Sequence, residues 1–288
     1  MNPAAKAVAA ALVTVVLWAS AFPFIRIGLR SFDPIALASL RFAVAAMLMI
    51  AWLAWKRPAL PSFRDGLRLA ACGALGITGY NVLLNLGQRT VPASAASFIV
   101  NTVPIMTALL ALVLLRERLR LWAWIGTVIS FAGIIVIALG QPGELRFAGG
   151  ALLVFGAALC LAGFFTLQRP LVAKYGAPLC AAMVVVLGAL FLTPWLPAAL
   201  GQAARAPGTG VLAVVYLGIF PAAIGYATWG AAQAYFGASR AANFLYLVPP
   251  ISTGLALGIA AELPSAATLA GGVLAIAGVI VVNTRGRY

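Results

Sequence analysis

The segment QRTVPASAASFIVNTVP at residues 88–104 has a diverged second copy, QAYFGASRAANFLYLVP, at residues 233–249. The two copies align without a gap at an offset of 145 residues, and the same offset matches Glu117 with Glu262 and Gly133 with Gly278. Recurrence at a fixed offset indicates an internal duplication. The chain is therefore predicted to consist of two related halves, residues 1–140 and residues 146–288.

The composition around this repeat is that of a membrane protein. Of the 288 residues, 64% are hydrophobic and 8% are charged, whereas about 25% of residues in soluble domains are charged. Apolar runs long enough to cross a bilayer occupy residues 7–28, 34–55, 67–88, 92–114, 120–139, 148–168, 178–199, 210–231, 240–261 and 266–283. We expect an all-α integral membrane protein with ten transmembrane helices, five in each half.

The first apolar run has a second interpretation. Lys6 and the triplet Ala19-Ser20-Ala21 imitate the charged start and cleavage site of a signal peptide. The run nevertheless continues to Gly28, and the repeat requires a helix at that place. We therefore interpret it as the first transmembrane helix.

The positive charges predict the orientation of the spans. With ten spans, 13 of the 19 Lys and Arg residues fall on the side that also holds both termini, and 6 fall on the other side. Because Lys and Arg concentrate in cytoplasmic loops, both termini are expected in the cytoplasm. The basic residues form no dense patch, so the net charge of +14 does not indicate a nucleic-acid partner.

The odd number of spans in each half has a functional consequence. The second half must enter the membrane in the opposite sense to the first, so the halves form inverted repeats. Such repeats are typical of secondary transporters, in which the two halves open a central site alternately to either side. The alternative is a duplication that serves only to build a stable bundle.

These residues, in order and in duplicate, resemble the drug/metabolite transporter superfamily, specifically its ten-helix members with two EamA repeats. The resemblance rests on Trp18-Ala-Ser-Ala-Phe-Pro23, Pro92-Ala-Ser-Ala-Ala96, Pro104, Glu117, Gly126 and Gly133, together with the second copy. Within the superfamily the chain looks most like amino-acid exporters of the YddG type, which handle aromatic and other neutral amino acids. The resemblance implies export from the cytoplasm across a bacterial inner membrane.

Prolines within the spans are candidate hinges. Pro104 and Pro249 fall near the middle of their predicted spans, and each leaves the carbonyl four residues earlier, that of Val100 or Leu245, without its helical donor. Carbonyls freed in this way need partners within the membrane, so these segments should face protein or a water-filled cavity. The further hinge candidates are Pro250, Pro23 and Pro221. The alternative is a static kink.

Polar and aromatic side chains mark a candidate substrate site. Asn81, Asn85 and Gln88 share one face of the third span. Tyr226, Trp229 and Gln233 share a face of the eighth span, and the offset of 145 superimposes the two stripes. We expect them to line a central cavity together with Trp18, Tyr80, Asn101, Asn243 and Tyr246. The alternative for each amide is a hydrogen bond between helices.

Arg41 is the candidate partner for a substrate carboxylate. Pro34 starts the second span, and Arg41 lies seven residues further along it. The long side chain has two possible positions: it can extend to the membrane interface, or it can contact substrate in the cavity.

The remaining residue types limit the mechanism. Asp33, Asp65, Glu117, Glu144 and Glu262 all fall at span ends or in loops, and the chain has no histidine. A proton relay, a metal site and the catalytic groups of an intramembrane enzyme therefore lack candidates, and no cofactor is expected. The hypothesis is facilitated export of small amino acids by a monomer. The alternatives are another metabolite, a drug substrate, or a channel.

Overall fold

The computed structural model of the chain describes residues 3–103, 105–107, 110, 121–139, 144–260 and 263–285. Within these ranges the chain is helical and forms no β-strand, as predicted. The α-helices are, in chain order, α1 (Pro3–Gly28), α2 (Pro34–Lys56), α3 (Phe63–Gly73), α4 (Tyr80–Gly87), α5 (Ala93–Val100), α6 (Leu121–Leu139), α7 (Glu144–Tyr175), α8 (Ala177–Leu192), α9 (Leu196–Ala203), α10 (Gly208–Leu217), α11 (Gly225–Ala242), α12 (Val248–Ala260) and α13 (Ala266–Arg285).

The described part of the chain contains six helical segments that are long and apolar enough to cross a membrane. They are Pro3–Gly28, Pro34–Lys56, Phe63–Gly87, Gly149–Tyr175, Ala177–Ala203 and Gly208–Phe236. Shorter apolar helices accompany them, including Trp124–Ile137 and Ala266–Val281. Many of the exposed side chains are large and apolar, for example Met47 (62% exposed) and Val128 (68%). A surface of this kind suits hydrocarbon rather than water, so the bundle is a membrane protein.

Proline and glycine place several helix ends. Pro34 lies in the first turn of α2, where the missing amide hydrogen costs no helical bond. Pro207 directly precedes α10. Gly176 has a φ of 81°, a value that favours glycine, and it reverses the chain between α7 and α8.

Two repeat-equivalent π-helical segments interrupt the helical rods. Ala74–Gly79 joins α3 to α4, and Gly218–Ile224 joins α10 to α11. The offset of 145 residues places the first segment on positions 219–224 of the second. A π-helical turn widens the backbone, loosens the regular hydrogen bonding and is frequent at functional sites.

The repeat-equivalent helices α6 and α13 pack closely and run antiparallel. A Cβ atom added to Gly133 would meet the backbone of Gly271 and Ala275, and one added to Gly278 would meet the backbone of Gly126 and Ser130. Early residues of α6 therefore face late residues of α13, and the reverse holds at the other end. Glycines permit such close approach between membrane helices.

The two halves of the chain also interlock elsewhere. Helix α1 packs on α11 and α12, and α2 packs on α8. Two polar contacts join the halves outside these packed faces. In the first, the Asp65 carboxylate accepts hydrogen bonds from Lys174 Nζ at 2.6 Å and from the Tyr175 hydroxyl at 2.8 Å. In the second, Asp33 and Gln202 exchange two hydrogen bonds of 2.8 and 3.0 Å.

The structure corrects three predicted spans. The span at 92–114 is interrupted, because α5 ends at Val100 and residues 101–102 form a turn. The span at 148–168 belongs to the longer helix α7, which covers Glu144–Tyr175. The span at 240–261 does not start as an α-helix: α11 continues to Ala242, a 3-10 helix covers Asn243–Leu247, and α12 begins only at Val248.

Candidate functional site

A cavity lies between segments of both halves at the level of the helix interruptions. A volume of about 80 Å³ within it is open to the centres of water molecules. Its walls are largely apolar and aromatic, with a few polar groups. The lining residues are Trp18, Ala21, Phe22, Ile25, Arg41, Tyr80, Asn81, Leu84, Ser97, Val100, Asn101, Val103, Leu161, Phe165, Pro221, Tyr226, Leu245 and Val248.

The structure brings some of the predicted site residues together in this cavity and leaves others outside it. Those that line it are Trp18, Arg41, Tyr80, Asn81, Asn101, Pro221 and Tyr226. Those that do not line it are Asn85, Gln88, Trp229, Gln233, Tyr246, Pro23, Pro249 and Pro250. The side chain of Asn243 and the whole of Pro104 lie outside the described residues.

Two aromatic side chains donate hydrogen bonds to the π-helical segments. Trp18 Nε1 donates to the carbonyl oxygen of Pro221 at 3.1 Å, and the Tyr226 hydroxyl donates to that of Gly76 at 3.3 Å. Gly76 and Pro221 are themselves equivalent at the offset of 145 residues. Each π-helical segment therefore exposes one carbonyl at the same repeat position, and an aromatic donor beside the cavity binds it.

The α-helix is also interrupted at equivalent places in the two halves: α5 ends at Val100, and its equivalent Leu245 lies in the 3-10 helix Asn243–Leu247. Asn101 follows α5, and its Nδ2 atom donates to the carbonyl oxygen of Leu245 at 3.0 Å. This carbonyl is the one that Pro249 was expected to leave free, and it finds its partner in the other half of the chain. The Oδ1 atom of Asn101 is buried and has no hydrogen-bond partner within the described ranges.

The C-terminal end of the first polar stripe, at Asn85 and Gln88, does not face the cavity. Asn85 donates to the carbonyl oxygen of Pro34 at 2.9 Å, and Gln88 donates to that of Phe22 at 3.1 Å. Both side chains are fully buried. Here the amides make hydrogen bonds between helices, which is the alternative that the sequence left open. Asn81 lines the cavity wall and donates to the carbonyl oxygen of Ile77, in the preceding π-helical segment, at 2.7 Å.

The second polar stripe divides in a similar way. Tyr226 lines the cavity, while the buried ring of Trp229 lies behind it, with its centroid 5.3 Å from that of Trp18. Gln233 and Tyr246 are half-buried outside the cavity lining. The two stripes therefore face one another only where Asn81 and Tyr226 lie.

The positions of the prolines correct the expectation of mid-helix breaks. Pro249 and Pro250 lie in the first turn of α12, where a proline removes no helical hydrogen bond. Pro221 lies inside the second π-helical segment, and Pro23 is buried within α1. Pro221 thus lies within a π-helical segment, whereas Pro249 and Pro250 directly follow the change from 3-10 helix to α-helix at Val248.

Arg41 does not extend to the surface of the protein. Its side chain is 4% exposed and lies in the cavity wall, with Cζ 4.9 Å from the centroid of the Phe42 ring. The Nε and Nη1 atoms are buried and have no hydrogen-bond partner within the described residues. The phenol groups of Tyr226 and Tyr80 are its electrostatic neighbours. The guanidinium group is therefore buried beside the empty space.

Several cavity residues escaped the sequence analysis. The apolar ones, such as Phe165 and Val248, carry no signal that separates a cavity wall from packed core. The π-helical segments did leave a signal, because Gly73 and Gly218 match at the offset of 145 residues. A Cβ atom at Gly73 would lie 2.7 Å from the backbone nitrogen of Gly188, and one at Gly218 would lie 2.6 Å from the carbonyl oxygen of Arg41.

The arrangement suits the binding of a small molecule. Among the described residues, no three His, Cys, Asp or Glu side chains approach one another as metal ligands would. Flat rings and amides can bind a small molecule by stacking and hydrogen bonding. The cavity is thus a candidate substrate site.

Comparison with known proteins identifies the family of this chain. The EamA-like transporter family matches residues 5–139 and again residues 148–284. The "Probable terminal-alkyne amino-acid exporter" of Streptantibioticus cattleyicolor is 38% identical over 97% of this chain and 94% of its own length. The "Uncharacterized transporter YdfC" of Bacillus subtilis is 32% identical over 91% and 86%. The chain belongs to the EamA-like transporter family, and the resemblance to the drug/metabolite transporter superfamily is confirmed.

Two further comparisons concern location and fold. The "Uncharacterized inner membrane transporter YedA" of Escherichia coli K12 is 28% identical over 95% of this chain and 89% of its own length. A solved crystal structure superposes with a TM-score of 0.64 over 96% of both chains at 21% identity, which shows a shared fold. The protein is therefore a multi-pass membrane transporter and not an enzyme.

Proposed function

We propose that this transporter exports small neutral or aromatic amino acids and related metabolites across the inner membrane by alternating access. The observation that carries the proposal is the cavity at the helix interruptions, with walls from both halves of the chain. A site between two halves can be opened to either side when one half moves against the other.

The choice of substrate rests on the lining and on one relative. Trp18, Tyr80, Tyr226 and Phe165 supply rings, and Asn81 and Asn101 supply amides. Such a surface fits a small molecule with an apolar side chain and polar ends. The relative that is 38% identical is named for export of terminal-alkyne amino acids, which are molecules of this description.

The proposed topology has ten spans in two inverted halves, with both termini in the cytoplasm. The antiparallel contact between the repeat-equivalent helices α6 and α13 supports the inversion. The unequal distribution of Lys and Arg supports the orientation. One chain supplies both halves, so we propose that it works as a monomer.

Export is proposed to be facilitated and not coupled to protons. The two acids whose side chains the structure describes, Asp33 and Asp65, have their partners in Gln202 and Lys174, away from the cavity. The proton carriers of membrane transporters are typically Asp, Glu or His side chains that face the substrate path. The described lining contains no carboxylate.

The test is a substrate panel with the purified full-length protein in liposomes. We expect saturable efflux and counterflow of phenylalanine, tryptophan, threonine, methionine and a terminal-alkyne amino acid. Efflux should run down the amino-acid gradient with no applied pH gradient. A nucleoside and a cationic dye serve as the comparison substrates.

Three outcomes would contradict separate parts of the proposal. Transport of the dye or nucleoside alone would overturn the amino-acid assignment. A strict requirement for a pH gradient would overturn facilitated export. Flux that rises linearly with concentration and shows no counterflow would indicate a channel, because only a carrier saturates and exchanges.

A further inference from the structure

The guanidinium group of Arg41 is a buried charge without a counter-charge among the described residues. Its Nε and Nη1 atoms are inaccessible and unbonded. Burying a charge is costly unless it is paired and hydrogen-bonded. An unpaired buried charge is expected to destabilise the fold, so a role in function is the expected reason for its presence.

Among the residues that the structure describes, the side chains near Arg41 do not supply an anion. Phe42 offers only a ring face at 4.9 Å, and the neighbouring groups Tyr80 and Tyr226 are phenols. Asp33 and Asp65 are both engaged elsewhere, as described above. The partner that would balance the charge is therefore expected to come from a ligand.

The backbone of Arg41 is held in place by the opposite half. The π-helical segment Gly218–Ile224 packs on α2 so closely that a Cβ atom at Gly218 would lie 2.6 Å from the Arg41 carbonyl oxygen. The side chain thus starts from a fixed point in the cavity wall. A preorganised guanidinium group matches the two oxygens of a carboxylate.

The charge also breaks the internal symmetry of the protein. At the offset of 145 residues, the position equivalent to Arg41 is Val186. The duplicated scaffold does not itself call for an arginine here. An arginine in one half alone makes the two sides of the cavity chemically different, so it would orient an asymmetric substrate.

We infer that Arg41 is the carboxylate-binding residue and that the transporter therefore selects monocarboxylates over amines. This inference rests on the proposed function, because it assigns one chemical group of the proposed amino-acid substrate. An amino acid is held by its carboxylate at Arg41, while its side chain contacts the rings of the cavity. An amine, amide or ester of the same side chain leaves the guanidinium group unpaired and is rejected.

The test uses phenylalanine and three analogues on the wild-type protein and on R41Q and R41K. In liposomes, 3-phenylpropionate should compete with phenylalanine, whereas phenethylamine and phenylalaninamide should not. The KM for phenylalanine should rise at least about 30-fold in R41Q, as expected for loss of one partner of a buried charge pair. R41K, which keeps the charge but not the two-pronged geometry, should lie between R41Q and the wild type. The matched control is R205Q, which removes an exposed arginine that lines a separate, wider pocket.

Thermal unfolding separates a binding role from a structural role. Without ligand, R41Q should unfold at the same temperature as the wild type or higher, because the substitution removes an unpaired buried charge. Addition of 3-phenylpropionate should raise the unfolding temperature of the wild type and of R205Q, but not that of R41Q. A large loss of stability in R41Q alone would assign Arg41 to the scaffold and overturn the inference.

The outcomes distinguish the inference from the proposed function. If the wild type transports phenylalanine and phenethylamine competes equally, or if R41Q keeps the wild-type KM, the inference is wrong and the proposed function stands. If no amino acid is transported, the proposed function is wrong. The inference is then decided by unfolding: stabilisation of the wild type by 3-phenylpropionate, lost in R41Q, upholds it, and no stabilisation overturns it.

Discussion

At the scale of single residues, the cavity wall depends on a few side-chain hydrogen bonds to exposed carbonyls. Trp18 and Tyr226 each bind a carbonyl of a π-helical segment, and Asn101 binds the carbonyl of Leu245. The residue and carbonyl lie in opposite halves of the chain in each pair. Breaking such a bond therefore affects both the stability of the cavity wall and the contact between the halves.

The substitution Tyr226→Phe tests the contribution of one of these hydrogen bonds. The substitution removes the hydroxyl that donates to Gly76 and leaves the ring in place. We expect a loss of about 0.5–2 kcal/mol in stability, since hydrogen bonds between membrane helices have this size. Thermal unfolding of the purified protein measures the effect.

The matched control for Tyr226→Phe is Tyr235→Phe in the same helix, where the ring is 51% exposed. It should leave the unfolding temperature unchanged. Equal losses in the two variants would show that the hydroxyl of Tyr226 contributes nothing specific.

At the scale of elements, glycine determines how closely helices α6 and α13 approach. A Cβ atom at Gly278 would collide with the carbonyl oxygen of Gly126. The obstructing atoms belong to the backbone, which cannot move aside as a flexible side chain can. The contact therefore tolerates glycine and excludes larger residues.

Gly278→Ala should destabilise the protein by about 1–3 kcal/mol, the usual cost of overpacking. Gly254→Ala is the matched control, because Gly254 also lies in a helix but has no other atom within 4 Å of its added Cβ. The control should be neutral, or more stable by up to about 1 kcal/mol from helix propensity. Equal unfolding temperatures for the two variants would contradict the close approach.

At the scale of the whole molecule, two polar contacts join the halves at different ends of the spans. On the proposed topology, Asp65 with Lys174 and Tyr175 lies at the cytoplasmic end, and Asp33 with Gln202 lies at the outer end. Opening the cavity to either side requires the halves to separate at that end. The two contacts should therefore stabilise opposite closed ends.

Asp65→Asn and Gln202→Ala should shift the transporter in opposite directions. Weakening the cytoplasmic contact favours the inward-open state, so the KM for phenylalanine falls at the cytoplasmic face and rises at the outer face. Gln202→Ala should have the reverse effect. We expect changes of about twofold or more, because the apparent affinity follows the population of the open state and such contacts are worth up to about 1 kcal/mol.

The measurement is the KM from each face, with the protein inserted in one orientation in liposomes. Arg64→Gln is the control, since Arg64 is exposed at the same end as Asp65. Shifts of the same sign at both faces in both variants would contradict the assignment of opposed closing contacts.

The site could be predicted only in part. The sequence placed Trp18, Tyr80, Asn81, Asn101 and Tyr226 in a cavity, and the structure finds them there. Asn85 and Gln88 share the helical face of Asn81, yet they bond to Pro34 and Phe22. Helical periodicity shows which residues share one face of a helix. Along a long helix, one part of that face can border the cavity while another part contacts a neighbouring helix.

The sequence alone determined the helical membrane fold and the duplication. Both follow from properties that are local or additive along the chain, namely apolar runs and residues repeated at a fixed offset. Only the tertiary structure decided that Arg41 is buried without a partner and that π-helical segments form at Ala74–Gly79 and Gly218–Ile224. Those features depend on which helices pack together and on the distance between them. Contacts between parts of the chain that are far apart in sequence set this distance.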